Sequence, residues 1–255
     1  MSGESLPVLS MPRLILWRHG RTEWNATGRF QGQLDPPLDD VGRRQAAVAA
    51  PQLVATTGLS SSDTVVVSSD LIRAAETAAT LSDLLGVPLH LDKRLREHGM
   101  GTWEGLTRSE VADRYPEQYA DWLAGRPVRG RGGEEASAVA ERALAALVDL
   151  EPAATVVVVS HGGTAGRLSE HLLGLSPDHR RLLGPLANCA WSELVSYEAR
   201  WRLMRHNISA VQPSENRVQG TPATGAALQG PVVTRGSAAT DEGRRPPAED
   251  ADAVL

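Results

Sequence analysis

Apolar residues in this chain fall into short unbroken runs separated by stretches with helical spacing. The first run, Leu14–Trp17, has no polar interruption, so it predicts a strand over 13–17 that is covered on both faces. It runs straight into Arg18, His19 and Gly20, two groups that resist burial and a residue that turns the chain. "TVVVSS" (64–69), "PLHLD" (88–92) and "ATVVVVS" (154–160) read as three further strands, the last the most apolar. Between them lie helical patterns. One is "VGRRQAAVAA", capped by Asp39 or Asp40 and bent or ended by Pro51. Another is "LIRAAETAATLSDLL", with Gly86 and Pro88 as stop signals. Two more cover about 136–150 and the segment "GTAGRLSEHLLG".

Residues 93–135 read as loop-rich, with short helical patches at 108–115 and 119–124 and a turn at "RGRGGEE". "NCAWSELVSYEARWRLMRHN" predicts two strands joined near 198–200. Strands alternating with helices imply an α/β fold: three layers, α/β/α, around a mostly parallel sheet. Residues 1–10 are expected to be an extension and 11–209 one catalytic domain. From Ala210 the chain has no aromatic residue, scattered Gly and Pro and little periodicity, so 210–255 is expected to be a disordered tail.

Composition narrows the class. The 255 residues carry a net charge of −5, which gives no general attraction to nucleic acid or an acidic membrane. No apolar run reaches the roughly 18 residues of a membrane span, and the start lacks the basic and long apolar segments of a secretory signal. The single cysteine, Cys189, excludes an internal disulfide and fits a reducing cytoplasm.

In parallel α/β sheets ligands bind beyond the carboxyl ends of the strands. Arg18, His19 and Gly20 follow the first strand, Arg73 lies on the first helical turn after the second, and His161, Gly162 and Gly163 follow the fourth. Two histidines and two arginines thus converge on one mouth, with Arg18 and His19 expected at its rim rather than in the core. Guanidinium forks match phosphate oxygens, and helix N-termini after Gly20, Asp70 and Gly163 would add N–H donors. A metal site fits poorly: the arginines would repel a divalent ion, and neither His-x-x-x-His nor Cys-x-x-Cys spacing occurs. Taken singly, each feature also has a plain reading, as a turn histidine, a solvated helix arginine or a surface loop glutamate at Glu97.

"RHGRTEWN", "RFQGQLDPPLDDVGRRQA", "SSDLIRAAETA", "LREHGMGTWEGLT" and "SHGG" together resemble the histidine phosphatase superfamily, the phosphoglycerate mutase-like proteins, in family order from about Arg13 to Asn207. The pattern is most similar to bacterial cofactor-independent phosphatases, with glucosyl-3-phosphoglycerate phosphatases nearest. The resemblance implies a phosphoglycerate mutase-like fold and a phosphomonoesterase acting on a small phosphate ester, without cofactor or metal. It matches His19 to the nucleophile that becomes phosphohistidine and Arg18, Arg73 and His161 to the clamp on the phosphoryl oxygens. Asn25 matches a further phosphate contact, Glu97 the general acid, and Gln31, Gly32 and Gly162 fall where the family contacts substrate or phosphate. Arg21 departs from the Glu or Gln common in relatives, and is expected either to extend the positive rim or to be neutral.

Two other functions are compatible with these residues: a phosphoglycerate mutase, and a non-catalytic phosphate-binding or scaffold protein. The short form of the segment after "LRE" argues against the mutase, and the presence of both His19 and Glu97 against the scaffold. No nucleic-acid or membrane partner is expected, and the reading leaves room for a homodimer.

Overall fold

The computed structural model describes residues 9–176, 179, 182–198 and 200–210. Six strands form one sheet: β1 (Arg13–Arg18), β2 (Thr64–Ser68), β3 (Leu89–Leu91), β4 (Thr155–Ser160), β5 (Trp191–Tyr197) and β6 (Arg200–Ile208). Their order is β3-β2-β4-β1-β5-β6. The β3, β2, β4 and β1 strands run parallel, whereas β5 is antiparallel to β1 and β6 to β5. The expected mostly parallel α/β sheet is therefore present, and its antiparallel edge is the hairpin anticipated at 198–200.

The unbroken apolar runs are explained by what covers each face. Leu14, Leu16, Val67, Val156 and Val158 pack on α6 (Ala136–Val148) and α7 (Gly162–Leu172). Ile15, Trp17, Val66, Val157 and Val159 pack on α2 (Asp40–Thr57) and α3 (Ile72–Leu85). Successive side chains point to opposite faces, so a strand buried on both sides has no polar positions.

Helix α2 departs from expectation. Asp39 is its N-cap, accepting from the Gly42 N–H, but the helix passes through Pro51 and ends at Thr57, with Gly58 left-handed at φ +67°. Pro51 is exposed, while Ala46, Ala49, Ala50 and Leu53 are buried on either side of it. Burying that face offsets the roughly 3 kcal/mol that an interior proline costs.

Residues 93–135 also hold more structure than expected. Two short 3-10 turns are followed by α4 (Arg108–Arg114) and α5 (Pro116–Leu123), which opens on a proline that needs no N–H at that position. A four-residue helix, α1 (Glu23–Ala26), lies in the segment after β1. A separate core of Phe30, Met100, Trp103, Val111 and Trp122 ties the 93–135 segment to the loop after β1. At the N-terminus, Leu9 packs on the main core, Ser10 Oγ donates to the Leu150 carbonyl, and Met11 is buried. The expected extension and tail otherwise lie outside the described residues. No helix among the described residues is long and apolar enough to cross a membrane.

Candidate active site

Arg18 is the last residue of β1, one later than expected, and pairs with Ser160 of β4. Neither Arg18 nor His19 sits at an open rim: both are completely buried at the carboxyl edge of the sheet, as are Arg73 and His161. The 182–190 segment helps to close this edge. The Leu186 carbonyl accepts from Arg18 Nη1 at 2.7 Å, the Cys189 N–H donates to the His19 carbonyl at 3.1 Å, and Asn188 Nδ2 donates to the same carbonyl at 3.2 Å. Gly20 packs so tightly on α2 that a Cβ there would lie 2.5 Å from the Gly42 carbonyl oxygen. Only glycine lets the chain turn immediately after His19.

His19 Nδ1 lies 2.7 Å from the Gly20 carbonyl oxygen. A carbonyl only accepts, so Nδ1 carries the proton, and Nε2, which has no partner, presents a lone pair. Burial, then Arg73 and Arg18, hold the His19 pKa well below its ordinary value, against the opposing Gly20 hydrogen bond. His161 lies 5.1 Å from His19 between ring centroids, and neither of its ring nitrogens has a partner. Its pKa is also held well below the ordinary value by burial, Arg73, His19 and Arg18. Both rings are therefore neutral in the unliganded site, and a bound dianion would favour the charged form of His161.

Arg73 is fixed from the loop after β1: Nη1 donates to the Leu34 carbonyl at 2.8 Å and Nη2 to the Gly32 carbonyl at 2.9 Å. Gly32 has φ +50°, and a Cβ would meet Glu104 Oε1 at 2.1 Å, so this carbonyl is available only with glycine at 32. Asn25 Oδ1 accepts from the Thr22 N–H at 3.0 Å and from Asn188 Nδ2 at 3.3 Å. Gln31 Oε1 lies 3.0 Å from Thr22 Oγ1. Arg21 does not extend the positive surface, because its Nε donates to Asp39 Oδ2 at 2.8 Å in an ion pair.

Glu97 is buried against the first turn of α7. Its Oε2 accepts from the Gly163 N–H at 3.1 Å, and Oε1 accepts from the N–H groups of Thr164 at 3.0 Å and His98 at 2.7 Å. A Cβ at Gly163 would lie 2.6 Å from Oε1. Arg142 of α6 holds the Glu97 backbone, donating to the carbonyls of Arg94, Arg96 and Glu97 at 2.6, 2.7 and 3.0 Å. The expectation that helix N-termini supply the anion with N–H donors needs correction. The N–H groups of Gly20, Ile72, Gly163 and Thr164 are all spent on protein side chains: Thr77, Asp35 and, for the last two, Glu97. The cationic cradle is built from side chains.

The structure thus gathers His19, Arg18, Arg73, His161, Gly162, Asn25, Gln31, Gly32 and Glu97 at one edge of the sheet. Thr22, Asn188 and Arg142 support them and went unmarked in the sequence. The threonine and the asparagine stand next to ordinary turn signals, and Arg142 lies on an otherwise unremarkable amphipathic helix.

A fold with two histidines and two buried arginines at the carboxyl ends of β1 and β4 and the start of α3 defines a phosphate-handling enzyme. The family profile of the histidine phosphatase superfamily (branch 1) matches residues 14–209, and the chain belongs to that family. It is a phosphoric monoester hydrolase. It is 38% identical over 219 residues to a glucosyl-3-phosphoglycerate phosphatase of Mycolicibacterium vanbaalenii, covering 78% of this chain and 95% of that one. A solved mycobacterial glucosyl-3-phosphoglycerate phosphatase complexed with VO3 superposes with a TM-score of 0.70 at 37% identity, covering 78% of this chain and all of the other. A probable phosphoglycerate mutase of Yersinia enterocolitica is 38% identical over 201 residues, covering 75% and 88% of the two chains.

Proposed function

We propose that the chain hydrolyses a small phosphorylated metabolite through a phosphohistidine at His19, with glucosyl-3-phosphoglycerate the first candidate substrate. The observation that carries this reading is the state of His19: Nδ1–H is held by the Gly20 carbonyl and Nε2 is left without a partner. The Nε2 lone pair attacks phosphorus, forming the N–P bond as the bond to the leaving oxygen breaks. Arg18, Arg73 and His161 balance charge on the equatorial oxygens, with Asn25, Gln31, Gly32 and Gly162 shaping the cradle. Glu97 gives a proton to the leaving alkoxide and then takes one from the water that cleaves the N–P bond, releasing inorganic phosphate and restoring His19.

The cations of the cradle supply the positive charge that a metal would otherwise bring. Among the described residues no cluster of three or more His, Cys, Asp or Glu is placed to hold one. We assign the chain to the cytoplasm, a reducing compartment that suits the free, buried Cys189.

Phosphate label from a substrate, added in the presence of EDTA, is expected to remain on denatured protein, to be lost in acid and kept in alkali, and to be absent from His19→Ala. An acid-stable label, or labelling abolished by EDTA, overturns the reading. The Yersinia relative makes the mutase a second reading. A mutase must shield its phosphohistidine from water. With 3-phosphoglycerate and the 2,3-bisphosphate, slow phosphate release is expected, and 2-phosphoglycerate appearing faster than phosphate would establish the mutase.

A further inference from the structure

Beside Glu97, and outside the phosphate cradle, lies a second cavity of about 160 Å³ whose walls include His98, Trp122, Val128, Arg131, Glu134 and Arg167. Its position follows from two chain connections. His98 is the residue after Glu97, and Arg167 stands one turn along α7 from Gly163 and Thr164, which hold the Glu97 carboxylate. The volume equals roughly five waters' share of liquid, the scale of a sugar acid rather than of a single ion.

Of its two buried arginines, Arg131 has no ion pair and Arg167 is paired through one nitrogen only, among the described residues. Arg131 is 6% exposed and His98 5%. Arg131 Nη2 lies 3.2 Å from His98 Nε2, its guanidinium covers the Trp103 ring at 5.3 Å, and among the described residues it has no ion-pair partner. Arg167 is 9% exposed; Nη1 pairs with Glu170 at 2.9 Å, whereas Nε is buried with no partner. His98 Nδ1 is likewise buried and unpartnered.

The two glutamates of the cavity do not cancel this charge. Glu134 is tied to Arg142 at 2.8 and 2.9 Å and to the Gly99 N–H at 2.7 Å. Glu135 is exposed at the edge of the cavity. Burial, with Arg167 adding to it, pushes the Arg131 pKa down against the opposing charges of Glu135 and Glu104, so those carboxylates do not offset the desolvation of the guanidinium.

We propose that this cavity is the subsite for the leaving-group half of the substrate and that Arg131 and Arg167 there receive a carboxylate, selecting phosphate esters of hydroxy acids. The proposal rests on the phosphatase reading and deepens it. A carboxylate between the two guanidinium groups meets donors on both sides, and the neutral His98, whose Nε2–H donates to the Glu134 carbonyl, offers its Nδ1 lone pair as an acceptor to a neighbouring hydroxyl. Trp122 supplies an apolar wall for the rest of the group.

The test compares 3-phosphoglycerate with glycerol 3-phosphate, which differ only in carboxylate against hydroxymethyl. The ratio of their kcat/KM values is expected to favour the acid by tenfold or more in the wild type. In Arg131→Gln and in Arg167→Gln it should fall by about tenfold. A wild-type ratio near one overturns the proposal without any variant, and so does a ratio unchanged in both folded variants. The phosphatase reading itself stands or falls on the phosphohistidine label at His19. Should neither ester be turned over, binding of the two to the wild-type protein by calorimetry decides the subsite: preference for the acid supports it and equal binding overturns it.

Discussion

The imidazole rings of His19 and His161 lie 5.1 Å apart between centroids, tilted by 58°, and neither Nε2 has a hydrogen-bond partner. Two buried imidazoles facing each other beside two arginines stay neutral, because burial and the arginines disfavour the charged form of both. A phosphate dianion is the complement this arrangement lacks.

The same burial sets a dependence of stability on pH. The pKa values of His19 and His161 are well below 6.5, and that of His98 is lowered to about 4 by burial, with Arg131 and Arg167 adding to it against hydrogen bonding to the Glu134 carbonyl. Between the folded values and 6.5 the unfolded chain binds more protons than the native one, so stability falls as pH drops through this window. His98 alone should account for roughly 2 kcal/mol between pH 7 and 5. Denaturant unfolding across that range should show the loss, and His98→Gln should flatten part of it. A stability constant from pH 7 to 5 would contradict the buried neutral state.

Glu97→Gln keeps the side-chain shape and one acceptor oxygen for the Thr164 and His98 N–H groups, gives up the bond from the Gly163 N–H, and removes the transferable proton. Turnover of alkyl phosphates is expected to fall by about 10²–10⁴-fold. With p-nitrophenyl phosphate, whose leaving group needs little protonation, the fall should be much smaller. Steady-state kinetics on both substrates measures this, and equal losses would make Glu97 a positioning residue.

Gly163→Ala places a methyl group 2.6 Å from Glu97 Oε1 on a carboxylate that has nowhere to retreat. Overpacking of this kind typically costs about 1–3 kcal/mol. The displaced carboxylate should lower kcat on alkyl phosphates far more than it changes KM. Thermal unfolding together with a kcat and KM determination checks both, and wild-type kcat in this variant would mean that Glu97 tolerates displacement.

Much of this was legible in the sequence because it is local. The unbroken runs 14–17 and 154–160 mark strands buried on both faces, and glycine or proline ends the intervening helices. Placing ligand groups at strand ends follows from the parallel topology, so His19, Arg73 and His161 stand out from the sequence itself. The continuation of α2 through Pro51 was not legible, because it depends on burying residues on both sides of the proline. Nor was the core under residues 93–135, which forms only when Trp103 and Trp122 meet Phe30 from 73 and 92 positions away.

What the sequence determined by itself was therefore the fold class, the strand-end residues and, through its motifs, the family. Tertiary structure decided the chemistry of those residues. Complete burial of Arg18 and His19, the capture of the α7 N–H groups by Glu97 and the burial of Arg131 without an ion pair among the described residues all arise from groups distant in the chain, and the His19 tautomer follows from how its ring is turned onto the Gly20 carbonyl. Periodicity and turn signals report on neighbours within a few residues. Desolvation, hydrogen-bond partners and electrostatic fields depend on which distant segments come together.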